Sequence, residues 1–147
     1  MSNDKAIGSA SVRLSKRITR VLNISLKPYS ITTEQWSVLR ALNESDQISQ
    51  KELSDRADKD QATVTKILDL LEKNGFVERV ANPGDRRSFL IKITEKGKKL
   101  ALELTPYIEG IFSEMINGIE GEKLEIYKET LLLLESNLDR IQKEVNR

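Results

Sequence analysis

Between Phe76 and Ile93 the apolar residues stop recurring every three to four positions and begin to alternate. Phe76, Glu78 and Val80 alternate with Val77 and Arg79, and Phe89, Ile91 and Ile93 alternate with Ser88, Leu90 and Lys92. Successive side chains of a strand point to opposite faces, so these runs predict two strands in a chain that is otherwise patterned for helices. The intervening Asn82-Pro83-Gly84-Asp85 is a turn sequence, because proline presets φ and glycine admits the left-handed region. The pair therefore reads as a hairpin whose tip carries two adjacent arginines, Arg86 and Arg87. Whatever fold the chain adopts must seat this one hairpin among helices.

The helices that precede it are short and well punctuated. Ile7, Leu14, Ile18, Val21 and Leu22 form the apolar stripe of a first helix, which Lys27-Pro28-Tyr29 ends. Thr32-x-x-Gln35 has the form of a capping box and opens a second helix with Trp36, Leu39, Ala41 and Leu42 on its buried side. Ser49-x-x-Glu52 repeats that form ahead of a short third helix holding Leu53 and Ala57. Asp60 is placed to cap a fourth, in which Val64, Ile67, Leu68 and Leu71 follow at i, i+3, i+4 and i+7 before Asn74-Gly75. Two short helices joined by a tight polar turn form a helix-turn-helix, and the hairpin after them is its wing. Thr94 then caps a long helix with an expected bend at Pro106. Beyond Gly118 and Gly121, the residues Leu124, Tyr127, Leu131, Leu134, Leu138, Ile141 and Val145 are spaced alternately three and four apart, the seam of a heptad repeat. The fold class is mainly α with a small β-hairpin wing: one domain over 1–147, with a winged helix-turn-helix lobe at 31–97 and a helical dimerisation region at 5–27 and 98–147.

Composition narrows the chemistry. The chain has no His and no Cys, which excludes an imidazole base, a thiol nucleophile, a disulfide framework and a zinc finger. No metal or other cofactor is expected, and the carboxylates Asp69 and Glu72 lie beside lysines on a polar helix face, so an enzyme is not expected either. The longest aliphatic run is Leu131 to Leu134, and the sequence starts without the layout of an export signal, so the expectation is a soluble cytoplasmic protein with no membrane partner. The net charge of +1 conceals an asymmetry: residues 1–50 and 51–100 each carry +3, and residues 101–147 carry −5. A local basic excess suits a polyanion, although ordinary solvated charge explains it equally well.

On the fourth helix the stripe through Val64 and Leu71 leaves Ala62, Thr65 and Lys66 facing outward near its start, where Gln61 and Thr63 also stand. Small and hydrogen-bonding residues there suit the entry of a helix into a major groove, while any surface helix also shows polar residues outside. Arg86 and Arg87 on a turn can enter a narrow minor groove, or serve only to keep the hairpin soluble. Asp85 can pair with Arg87 and shape the tip. The terminal helices carry more apolar surface than a helix-turn-helix can cover. Ile7, Leu14 and Ile18 with Leu124, Tyr127, Leu131, Leu134, Leu138 and Ile141 are therefore candidate dimer contacts, an intramolecular bundle being the alternative. The function these features favour is sequence-specific binding of double-stranded DNA by a homodimer at near-palindromic sites; the alternative is a winged helix that binds a protein.

Taken together the motifs resemble the MarR family (multiple antibiotic resistance regulators). The family's wing signature D-x-R-x-x-x-L-x-L-T-x-x-G is similar to Asp85, Arg87, Ile91, Ile93, Thr94 and Gly97, with isoleucine in both leucine positions. Thr32-x-x-Gln35-Trp36, Gln50-Lys51-Glu52-Leu53-Ser54, Thr63-Val64-Thr65 and the run from Leu71 to Arg79 support it. The resemblance implies a bacterial or archaeal transcription regulator, usually a repressor, dimeric through its terminal helices, with the fourth helix in the major groove and the wing arginine at Arg87. It also implies release from DNA by a small aromatic or phenolic effector. The family's thiol-oxidation branch does not apply to a chain without cysteine.

Overall fold

A computed structural model describes residues 2–146, and within them the chain divides into two compact units that meet in sequence at Pro106 and Tyr107. The first unit opens with α1 (Asn3–Leu26), whose cap is Ser2 and whose end is a 3-10 turn at Lys27–Tyr29 built on Pro28. Only Leu22 and Leu26, near its end, are buried. Helix α2 (Thr33–Glu44) begins with the expected box: Gln35 N–H donates to Thr32 Oγ1 at 3.2 Å, and Thr32 N–H donates to Gln35 Oε1 at 2.9 Å. Its Trp36, Val38, Leu39 and Leu42 are buried, and with Leu53, Val64, Leu68, Leu71, Ile91 and Ile93 they make the core. Each fully buried leucine contributes about 2 kcal/mol.

The sheet has one strand more than the sequence pattern predicts. Strand β1 (Ile48–Ser49) pairs antiparallel with β3 (Asp85–Ile93), which pairs with β2 (Val77–Asn82), giving the order β1-β3-β2. Two residues are too few to show a period, so β1 is invisible to pattern reading. It is held by Ile48↔Ile91 and Ser49↔Leu90, and by Ile93 N–H donating to Asp46 Oδ1 at 2.9 Å.

Helix α3 (Gln50–Ala57) follows β1 at once, and here the second expected box is only half made. Ser49 Oγ accepts from Glu52 N–H at 3.1 Å, whereas the Glu52 carboxylate turns to Arg56, 3.7 Å away, one turn along the exposed face. Asp58 ends α3 in the left-handed region (φ 54°), which short polar residues tolerate, and α4 (Gln61–Lys73) starts three residues later. At its far end Gly75 has φ 79°, and Phe76 N–H reaches back to Leu71 O at 2.9 Å, a Schellman closure that only an αL residue permits.

Helix α5 (Glu95–Met115) is capped by Thr94, whose Oγ1 accepts from Gly97 N–H at 3.1 Å, and it runs through Pro106. The second unit continues through the turn at Gly118 (φ 83°) into α6 (Gly121–Val145). None of the 25 residues of α6 is buried. No helix among the described residues is long and apolar enough to cross a membrane.

Candidate nucleic-acid interface

The start of α4 is fixed by its cap. Asp60 Oδ1 accepts from Thr63 N–H at 2.7 Å, and Thr63 Oγ1 donates to Asp60 Oδ2 at 3.0 Å. These bonds hold the Asp60 carboxyl below its ordinary value, the Thr63 amide first and its hydroxyl second. Val64, Ile67, Leu68 and Leu71 turn into the core, which leaves Gln61, Ala62, Thr65 and Lys66 exposed and Thr63 half-buried. Two of the five predicted contact residues on this helix are already engaged: the Thr63 hydroxyl holds Asp60, and Thr65 Oγ1 donates to Gln61 O at 2.9 Å while Gln50 Nε2 donates to it at 2.6 Å.

The wing departs from the simple hairpin expected. Its two-residue turn is Pro83-Gly84, with Asn82 opposite Asp85, but the next pair is Ala81 opposite Phe89. Arg86, Arg87 and Ser88 therefore bulge out of the ladder on β3 and stand beside the turn, where loop placement was expected. Both arginines are exposed and make no ion pair among the described residues. Asp85 shapes this segment through the backbone: its Oδ1 accepts from Arg87 N–H at 2.9 Å, so the guanidinium is not drawn back to it. Asn82 closes the other side, accepting from Gly84 N–H and donating to Ser88 Oγ, each at 3.0 Å.

Arg79 ties the wing's stem to the helix. Its guanidinium donates to Glu72 Oε1 at 2.8 Å and Asp69 Oδ1 at 2.9 Å, which accounts for the two carboxylates on the outer face of α4. Ser49, Gln50, Lys51, Gln61, Ser88 and Phe89 line a groove of about 310 Å³ where the starts of α3 and α4 meet β3. Gln50 stands in the motif at the start of α3 and Phe89 in the alternation of β3, but neither spacing marks them as neighbours; the pairing of β1 with β3 brings them together.

The predicted dimer contacts fall on two helices. On α1, Ile7 and Leu14 are exposed and Ile18 is half-buried; on α6, Leu124 is half-buried and Tyr127, Leu131, Leu134, Leu138 and Ile141 are exposed. The described residues contain no cluster of His, Cys, Asp and Glu that could hold a metal ion.

Solved structures similar to this chain share its fold. A MepR–DNA complex from S. aureus is 22% identical with a TM-score of 0.84, covering 90% of this chain and 97% of that one. A cysteine-to-serine variant of MarR from E. coli, complexed with operator DNA, is 25% identical (TM-score 0.82; 88% and 93% covered). CouR from Rhodococcus jostii bound to p-coumaroyl-CoA is 24% identical (TM-score 0.77; 89% and 92% covered). The model of the MarR family matches residues 31–89, from the residue before the Thr32 cap to the middle of β3. The wing motif and the three-stranded winged helix agree with this match: residues 31–89 fit the model of the MarR family, and the MarR proteins of known structure share the fold.

Proposed function

We propose that the protein is a homodimeric repressor that reads near-palindromic double-stranded DNA, with α4 in the major groove and the wing's Arg86 and Arg87 at the adjoining minor groove. The observation that carries this reading is the pairing, within one unit, of an exposed α4 start with two free guanidinium groups on a bulge whose backbone Asp85 fixes. Gln61, Ala62, Lys66, Arg86 and Arg87 form the contact surface, and Thr63 and Thr65 support it from within. The E. coli MarR variant bound to operator DNA supports the partner class.

The dimer rests on a different observation: α6 is 25 residues long and buries none of them, although it carries the full heptad seam. Isolated helices are marginal in water, so such a helix needs a partner, and a second copy supplies the same seam. Two copies place two recognition helices about 34 Å apart, one duplex turn. A small aromatic effector that shifts this spacing fits the same reading, and the complex of CouR with p-coumaroyl-CoA supports that class of ligand. The protein acts in the cytoplasm, where its DNA lies.

Selection of randomised duplexes by the purified protein, followed by a salt series on the winner, tests this function. The expected result is a near-palindrome with half-sites about ten base pairs apart and affinity that falls steeply with salt. Weak binding without any enriched sequence would instead indicate a winged helix that serves a protein partner.

A further inference from the structure

Thr65 stands one turn into α4 on its outward face, where a hydroxyl would serve as a reader of base edges, yet the proton of that hydroxyl is committed. It donates to Gln61 O at 2.9 Å and accepts from Gln50 Nε2 at 2.6 Å, and Gln50 Nε2 also donates to Gln61 O at 3.2 Å. A carbonyl oxygen only accepts, so the end of the Gln50 amide that faces Gln61 O must be its NH₂. This fixes an orientation that amide side chains usually leave ambiguous. With its nitrogen committed, the capacity left to Gln50 is Oε1, an acceptor. Gln50 is half-buried, and with Gln61 it lines the groove between the helix pair and the wing. A free hydroxyl accepts a donor or an acceptor on a base edge, whereas a fixed amide oxygen accepts only donors. In the major groove the donors are the exocyclic amines of adenine and cytosine.

We propose that Gln50, on α3, sets the sequence preference of the recognition helix: with the Thr65 proton tied up by Gln61 O, it presents beside Thr65 a fixed acceptor that selects a base carrying an exocyclic amine. The inference rests on the DNA-reading function proposed above. Gln50 would thus contact the base itself, and Thr65 would act through Gln50 by holding its amide.

The test is selection of randomised duplexes by the full chain as wild type, Gln50→Ala, Gln50→Glu and Thr65→Val, with the melting of each followed by circular dichroism. The wild type should enrich adenine or cytosine at one position of each half-site. Gln50→Ala should lose discrimination there by about tenfold while the other positions and the salt dependence stay as they were. Gln50→Glu should lose the same position, because a carboxylate keeps the acceptors but cannot donate to Gln61 O. Thr65→Val should weaken the preference at that position without changing the base chosen. A structural role alone would lower the melting temperature and blur every position together. A wild-type motif that Gln50→Ala leaves intact would overturn the proposal, as would a preference abolished by Thr65→Val and retained by Gln50→Ala. Should the wild type enrich no motif, the DNA-reading function itself fails and takes this inference with it.

Discussion

Asp60 gives the start of α4 a measurable pH signature. Thr63 bonds both of its oxygens, and the carboxyl sits below its ordinary value of 3.8. A carboxyl depressed in the folded state stabilises it above the unfolded value, and that contribution is lost as pH falls through the folded value. Wild type should therefore melt at a higher temperature than Asp60→Ala at neutral pH. The gap should close as pH falls past 3.8 and on through the lowered folded value, as followed by circular dichroism. At the wing, Arg87→Ala removes a free guanidinium without touching the Asp85 bond, which uses the backbone N–H. Affinity for the selected duplex should drop roughly five- to tenfold in fluorescence anisotropy, with the dimer unchanged in sedimentation. The caps were legible at this scale because a cap is a local matter of one side chain and an amide three residues on. The engagement of Thr65 was not, since its partner Gln50 lies on another helix and no local spacing marks it.

At the scale of elements, the Gly97 of the family motif has a steric reason. A Cβ there would collide with the carbonyl oxygen of Phe76 and stand 2.8 Å from Ile93 Cγ1, so the first turn of α5 sits against the corner where α4 gives way to β2. Gly97→Ala should lower stability by about 2–3 kcal/mol in urea denaturation, because backbone cannot yield as a flexible side chain does. Most elements were readable from the sequence: α1, α2, α4 and the long helices announce themselves by period, and their ends by Pro28, Gly75 and the caps. The third strand escaped because two residues have no period. The bulge at Arg86–Ser88 escaped as well, since a register shift leaves no mark in an alternating pattern that resumes at Phe89. The Ser49 box reads the same as that of Thr32, yet Glu52 turns to Arg56 whereas Gln35 returns to the Thr32 amide.

The whole molecule has an excess of uncovered apolar surface. On α6, Leu131 is 38% exposed and Leu138 62%, and Leu132 and Leu133, off the seam, are both 67% exposed. A charge placed on the seam must be desolvated when two copies meet, at a cost that exceeds the loss of one leucine. Leu131→Asp and Leu138→Asp should each shift the protein to monomer in sedimentation, with weakening of at least tenfold. Leu132→Asp should leave the dimer in place. A dimer undisturbed by either seam substitution would place the interface elsewhere. Composition made the apolar excess legible; what covers it is not written in one sequence, because an apolar seam carries no mark of its partner.

The junction between α4 and α5 is held through backbone carbonyls. Thr94 donates its hydroxyl to Gly75 O at 2.6 Å and its N–H to Phe76 O at 3.0 Å. Lys96 donates to Asn74 O at 2.7 Å and holds its ammonium 4.9 Å from the centre of the Phe76 ring. Three consecutive residues at the end of the recognition helix are thus riveted to the first turn of α5. The joint behaves as a crank: α5 cannot tilt at its root without carrying the tail of α4 along. Over the roughly 18 Å from Glu95 to Pro106, a swing of about 2 Å at the Pro106 end is a turn of roughly 6° at the joint. On the DNA-binding function proposed above, α4 would take its bearing on the duplex from α5, and a ligand that displaced α5 alone would alter the fit.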